Sequence, residues 1–268
     1  MKTQFEKIYV LSLITNHSRQ EFIKHQFNEL GIEFEFLYGS TFYNIINDAH
    51  GNKIEFPNVW PWKEHGSGRS FGCTLSHYNA VSFAYELGYN NVLIIEDDIC
   101  FIKNKELIEY YLNNIPEDAD FITWDTRFSW EPQYNEFLNI IKYDLDKLLN
   151  KQVNNNFIEL TNHWHALCGG MMYGLMNRNT MKLYLDNQNN KFTISDKVQN
   201  IFETSNDSKI KRYMGTHCIC LGQYLLENWF NDAYQTIGYC YKTPYEYIDK
   251  LDINNFFKPN NFLAWTQY

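Results

Sequence analysis

The chain has 268 residues, 44% hydrophobic and 21% charged, which excludes a disordered polypeptide and allows one large domain. Its net charge of -9 removes the basic footprint that duplex nucleic acid requires. No apolar run reaches the roughly 18 residues of a membrane-spanning helix, and the segment from Met1 to Lys7 lacks the apolar core of a signal peptide, so a cytoplasmic protein is expected.

Ile8-Tyr9-Val10-Leu11-Ser12-Leu13 is a short apolar run and reads as a buried strand. Asn16 and Ser18 offer helix caps. Phe22, Ile23, Phe27 and Leu30 then recur at helical spacing until Gly31. Ile32, Phe34 and Phe36 alternate with Glu33 and Glu35, which predicts a second strand. The opening is therefore β-α-β, the unit of a parallel sheet. Residues 42–70 are rich in Asn, Gly, His and Pro and read as a long loop. A helix follows, with Leu75, Tyr78, Val81 and Tyr85 on one face and Gly88 as its stop. Asn91-Val92-Leu93-Ile94-Ile95 is a central-strand signal, followed directly by Glu96-Asp97-Asp98. A helix over 105–113 stops before Pro116, and Phe121 to Trp124 forms a further strand. Residues 135–149 are helix-like, and 150–156 read as loop. Met171 to Leu175 is a strand, Met181 to Leu185 a helix, and Asn187 to Lys191 a loop. Beyond residue 210 aromatics are frequent but periodicity is weak.

The six cysteines, at 73, 100, 168, 218, 220 and 240, are irregularly spaced. They suggest free thiols of a reducing compartment, and Cys218-Ile219-Cys220 has the wrong spacing for a zinc knuckle.

Three adjacent carboxylates after an apolar strand repel one another, and a divalent cation would resolve that conflict. On an extended chain Glu96 and Asp98 point to one side, which makes them the expected metal ligands, with Mn²⁺ or Mg²⁺ as the cofactor. The end of a parallel strand is also where open α/β sheets bind ligands. A solvated acidic turn explains the triplet alone equally well. Gly72-Cys73-Thr74-Leu75-Ser76-His77 opens the preceding helix, where backbone N–H groups could meet a ligand, although an ordinary capped helix reads the same way. His163-Trp164-His165 has no third ligand at suitable spacing, so a structural role or one lining an acceptor site is favoured over zinc. Aromatics reach 18%, and Trp60, Trp62 and Trp164 stand beside polar loop residues, where flat rings could stack on sugar.

Taken together, the opening β-α-β unit, the G-C-x-x-S-H segment and the strand ending in E-D-D resemble glycosyltransferase family 25. This family includes lipooligosaccharide glycosyltransferases and collagen galactosyltransferases. The resemblance runs from Ile8 to about Asp125, including Arg19, Phe22 and Asp120-Phe121-Ile122, and more weakly over Gly170 to Leu185 and at Asp196. It implies an α/β fold of GT-A type, with a Rossmann-like, mostly parallel central sheet flanked by helices. Residues 1–130 would be the nucleotide-sugar-binding half. Residues 131–268 would be the acceptor-side half and a C-terminal extension of one continuous domain.

It further implies metal-dependent, inverting transfer of galactose or glucose from a UDP-sugar to a hydroxyl of a glycan or glycoconjugate, as in lipopolysaccharide or other polysaccharide biosynthesis. A lipid-linked acceptor would bring peripheral membrane contact. Leu11, Ser12, Arg19, Ser76, His77, Glu96 and Asp97 are the expected donor-binding residues, Asp98 with Glu96 the metal ligands, and Trp60, Trp62 and Trp164 the acceptor-side aromatics. Asp196, then Asp125, is the expected general base. Ile14-Thr15-Asn16-His17 departs from the family, which often has basic residues there. The alternative is a catalytically inactive glycosyltransferase-like binding domain. A nucleotidyltransferase would carry a glycine-rich basic loop where Leu13 to Arg19 has no glycine.

Overall fold

The computed structural model describes residues 1–39, 45–47, 53–55, 68–101, 104–124, 127–128, 152–154, 156–159, 167–168, 172–190, 210–215 and 219–222. The helix-like 135–149 segment lies outside them. The described strands are β1 (Lys7–Leu13), β2 (Glu35–Gly39), β3 (Ile45–Asn47), β4 (Lys53–Glu55), β5 (Val92–Glu96), β6 (Ile99–Phe101), β7 (Phe121–Thr123), β8 (Arg127–Phe128), β9 (Gln152–Asn154), β10 (Phe157–Glu159), β11 (Leu167–Cys168), β12 (Met172–Leu175), β13 (Arg212–Gly215) and β14 (Cys220–Gly222). The described helices are α1 (His17–Leu30), α2 (Gly68–Glu86), α3 (Lys105–Asn113) and α4 (Arg178–Asn190).

The main sheet has the order β4-β3-β2-β1-β5-β12-β7-β13-β10-β9. It contains two parallel groups: β1 lies between β2 and β5, and β13 runs parallel to β7. Between these groups β12 is antiparallel to both β5 and β7. This is the expected Rossmann-like α/β architecture, mostly parallel at its centre.

Successive residues of a strand point to opposite faces, and both faces of β1 and β5 are buried, so Ile8 to Leu11 and Val92 to Ile95 are continuous apolar runs. Ile8, Val10, Leu93 and Ile95 enter one core with Phe22, Ile23 and Phe27 of α1 and Ile108 and Leu112 of α3. Tyr9, Leu11, Val92 and Ile94 enter the opposite core with Ala80, Val81 and Ala84 of α2 and Met181 and Tyr184 of α4. Helices thus cover both faces of the sheet.

The expected second strand begins later than the alternation suggested. Gly31 adopts φ 67, and the N–H groups of Gly31 and Ile32 close α1 onto the carbonyls of Asn28 and Phe27 at 3.1 and 3.0 Å. Ile32 therefore belongs to the helix stop, as the buried residue that accompanies such a motif. Gly88, with φ 86, ends α2 in the same way. Two expected loops contain sheet: β3 and β4 form an antiparallel edge beside β2, and β9 pairs with β10. The stretch from Asn187 to Asn190, expected as loop, completes α4. Gln188 is buried there, so packing overrides the weak helix propensity of asparagine.

Candidate active site

The C-terminal ends of β1, β2 and β5 lie side by side: Leu11 pairs with Leu37 and Glu96, and Leu13 pairs with Gly39. A Cβ on Gly39 would stand 2.4 Å from Ser76 Oγ, so glycine there lets the end of β2 approach α2 closely. β5 ends at Glu96, and Asp97 and Asp98 form a turn before β6. The same-side argument for Glu96 and Asp98 assumed an extended chain, which the turn replaces.

Glu96 faces α2. Its Oε1 lies 2.9 Å from His77 Nε2 and accepts from Cys73 Sγ at 3.4 Å. His77 is fully buried, and its Nδ1 lies 3.0 Å from the Tyr173 hydroxyl on β12. The Tyr173 and His77 rings stack at 5.6 Å. Burial first, then Tyr184 and Glu96 nearby, push the Tyr173 hydroxyl well above its ordinary value, so it is neutral across the physiological range. Tyr184 is also raised, chiefly by burial.

Asp97 faces the other way. Its Oδ2 accepts from Ser12 Oγ at 2.6 Å and Asn16 Nδ2 at 3.4 Å, and its Oδ1 from Arg19 at 3.0 Å. Asn16, expected as a helix cap, stands at the N-cap of α1 but makes no side-chain capping bond.

The structure therefore brings Ser12, Arg19 and Asp97 into one cluster and His77 and Glu96 into a second. Leu11 is a core residue beside Glu96. Ser76 donates to Gly72 O at 2.9 Å and joins neither cluster through a described bond. Asp98 is half-buried in the turn. Trp60, Trp62, Asp125, Trp164 and Asp196 lie outside the described residues. The Gly72–His77 segment does not open its helix, because α2 begins at Gly68. Its N–H groups fall past the first turn and serve the helix, so the segment contributes side chains instead of an N-terminal cradle. Tyr173 was missed in the sequence; the one signal was a hydroxyl-bearing ring in an apolar strand.

Among the described residues, Cys73, His77 and Glu96 bring three donor atoms within 4.8 Å of one another. Sulfur, nitrogen and oxygen together suit a softer cation than Mg²⁺ or Mn²⁺, and the bonds to Glu96 already satisfy the group. A hard cation is better matched by carboxylate oxygens of the acidic turn completed by substrate phosphates.

The profile of Glycosyltransferase family 25 (LPS biosynthesis protein) matches residues 5–246, which takes in both clusters and the whole described sheet. A Haemophilus influenzae protein named "Putative glycosyltransferase" is 35% identical over 102 residues. That stretch is 38% of this chain and 36% of the relative. With a profile match over most of its length, laid on a Rossmann-like sheet whose strand ends carry the acidic turn, the chain belongs to glycosyltransferase family 25.

Proposed function

We propose that the protein is a glycosyltransferase that moves a hexose, galactose or glucose, from a UDP-sugar to a hydroxyl of a glycan or glycoconjugate, with inversion. The observation that carries this reading is the placement of the acidic turn at the C-terminal ends of adjacent parallel strands. There the clusters around Glu96 and Asp97 join β1, α1, α2 and β12. Family membership supplies the reaction class. The name "LPS biosynthesis protein" supports a glycolipid or polysaccharide acceptor, which would bring peripheral membrane contact. No helix of the described residues is long and apolar enough to cross a membrane.

We assign Asp98, assisted by Glu96, to a divalent cation, Mn²⁺ or Mg²⁺. Such a cation would offset charge on the departing diphosphate when bound. Leu11 and Ser12 mark the nucleotide end of the pocket, with Arg19, Ser76 and His77 beside it. His77 fixes the Glu96 carboxylate by hydrogen bonding, which keeps that side chain in one orientation without solvent rearrangement. Asp196, or failing it Asp125, takes the proton of the acceptor hydroxyl. Trp60, Trp62 and Trp164 supply flat faces for the acceptor sugar. Residues 1–130 form the donor half and 131–268 the acceptor half. Release of UDP from a UDP-sugar in the presence of Mn²⁺ tests this assignment.

A further inference from the structure

The turn between β1 and α1 is closed on itself at its base. Leu13 O accepts from Asn16 N at 2.9 Å and from the Gln20 side chain at 2.7 Å. Three side chains around the turn converge on one residue distant in sequence, Asp97. Ser12 is the penultimate residue of β1, Asn16 stands at the N-cap position of α1 and Arg19 lies in the first helical turn, and all three donate to the Asp97 carboxylate. Both carboxylate oxygens are engaged. The Asp97 side chain is 8% exposed, whereas Arg19 is 43% exposed. The first turn of α1 contains no acidic residue. Asp97 therefore supplies from another element the negative charge that a helix start favours.

We infer that Asp97 is a positioning residue: it fastens the β1–α1 turn to the acidic turn and does not itself hold the cation or the donor. The inference rests on the donor-pocket reading above. Arg19 then acts through Asp97. It neutralises a nearly buried carboxylate that would otherwise repel a diphosphate. This also gives a physical reason for the uncharged Ile14-Thr15-Asn16 stretch. The turn is held by bonds from its own side chains to Asp97, so it needs no basic residue of its own to be ordered there. The three adjacent carboxylates divide their tasks: Glu96 ties β5 to α2 and β12 and assists at the cation, Asp97 ties β5 to β1 and α1, and Asp98 is the principal residue assigned to the cation.

The test compares Asp97→Asn, Arg19→Met and the double variant with Asp98→Asn, by hydrogen exchange over residues 12–20 and by UDP-sugar kinetics. Asp97→Asn is expected to speed exchange in that segment about tenfold, the factor that losing roughly 1.4 kcal/mol of local stability produces. It should raise the donor KM about tenfold with kcat nearly unchanged, as loss of uniform binding does, and should leave the Mn²⁺ activation constant as in the native protein. Asp98→Asn should shift that constant instead. The double variant should be no worse than the worse single one, because both remove one coupled unit. Asp97→Glu should recover part of the loss. Unchanged exchange, additive effects, or a Mn²⁺ shift matching that of Asp98→Asn would overturn the inference. If Asp97→Asn does not fold, Arg19→Met, at an exposed side chain, carries the same expectations. If the native protein turns over no UDP-sugar, the transferase reading fails on its own, and the exchange data still decide whether Asp97 holds the turn.

Discussion

His77 has both ring nitrogens within hydrogen-bond distance of partners from two other elements, Glu96 on β5 and Tyr173 on β12, and no exposed side-chain surface. Replacing it with alanine removes both bonds and leaves a buried hydroxyl and a carboxylate oxygen to be satisfied elsewhere. His77→Ala is therefore expected to cost about 3 kcal/mol, the usual loss when one partner of a buried polar pair is deleted. Urea unfolding checks it, and a variant as stable as the native protein would show that the network is dispensable. At this scale the sequence offered candidate residues more readily than what they touch. Ser12, Arg19, His77, Glu96 and Asp97 were all legible as site candidates. That Asp97 turns toward Arg19 while Glu96 turns toward His77 was not, because adjacent positions sort to opposite sides only once the turn after Glu96 is known. Asn16 shows the same limit, since its residue type announces a cap and its side chain serves Asp97.

The reversed strand β12 joins the two parallel groups, and its third residue is Gly174. A Cβ there would meet Phe5 Cε1 at 2.6 Å, Phe5 Cζ at 2.7 Å and Ile122 Cγ2 at 2.8 Å. Gly174→Ala is expected to destabilise the fold by about 1–3 kcal/mol through overpacking. In a Phe5→Leu background the same change should cost less, because the ring edge that it strikes is gone. Thermal denaturation of the four proteins measures the coupling, and equal costs in both backgrounds would contradict the close approach. Elements with strong periodicity were readable in advance: β1, α1, β5 and α3 follow from apolar runs or helical spacing. The short strands β3, β4 and β9 were not, since three-residue edge strands have no room for a period. The direction of β12 was also hidden, because strand sense depends on the route of the chain and not on local pattern.

Burial on both faces of the sheet determines how the whole molecule responds to alkali. Tyr9, Tyr78, Tyr173, Tyr184 and Tyr213 all have hydroxyls raised above their ordinary value of 10.0, with burial the largest cause in each. In the unfolded chain these groups ionise near the ordinary value. The folded state therefore binds more protons above about pH 10, and stability falls as pH rises past that point, while below it the contribution is constant. Tyrosinate absorbance for these residues should appear together with loss of helical signal. Ionisation well before unfolding would contradict their burial.

The α/β class was legible at this scale because buried parallel strands are apolar throughout. The stretch beyond residue 210 was not, since its weak periodicity gives little pattern to read.

The most direct test of the central claim is UDP release from a panel of UDP-sugars, with and without Mn²⁺, for the native protein and for Asp98→Ala. Metal-dependent release from one or two hexose donors, lost in the variant, is the predicted result. If no UDP-sugar is turned over and calorimetry detects no UDP binding with Mn²⁺ present, the transferase account is contradicted and the family fold serves an inactive binding domain.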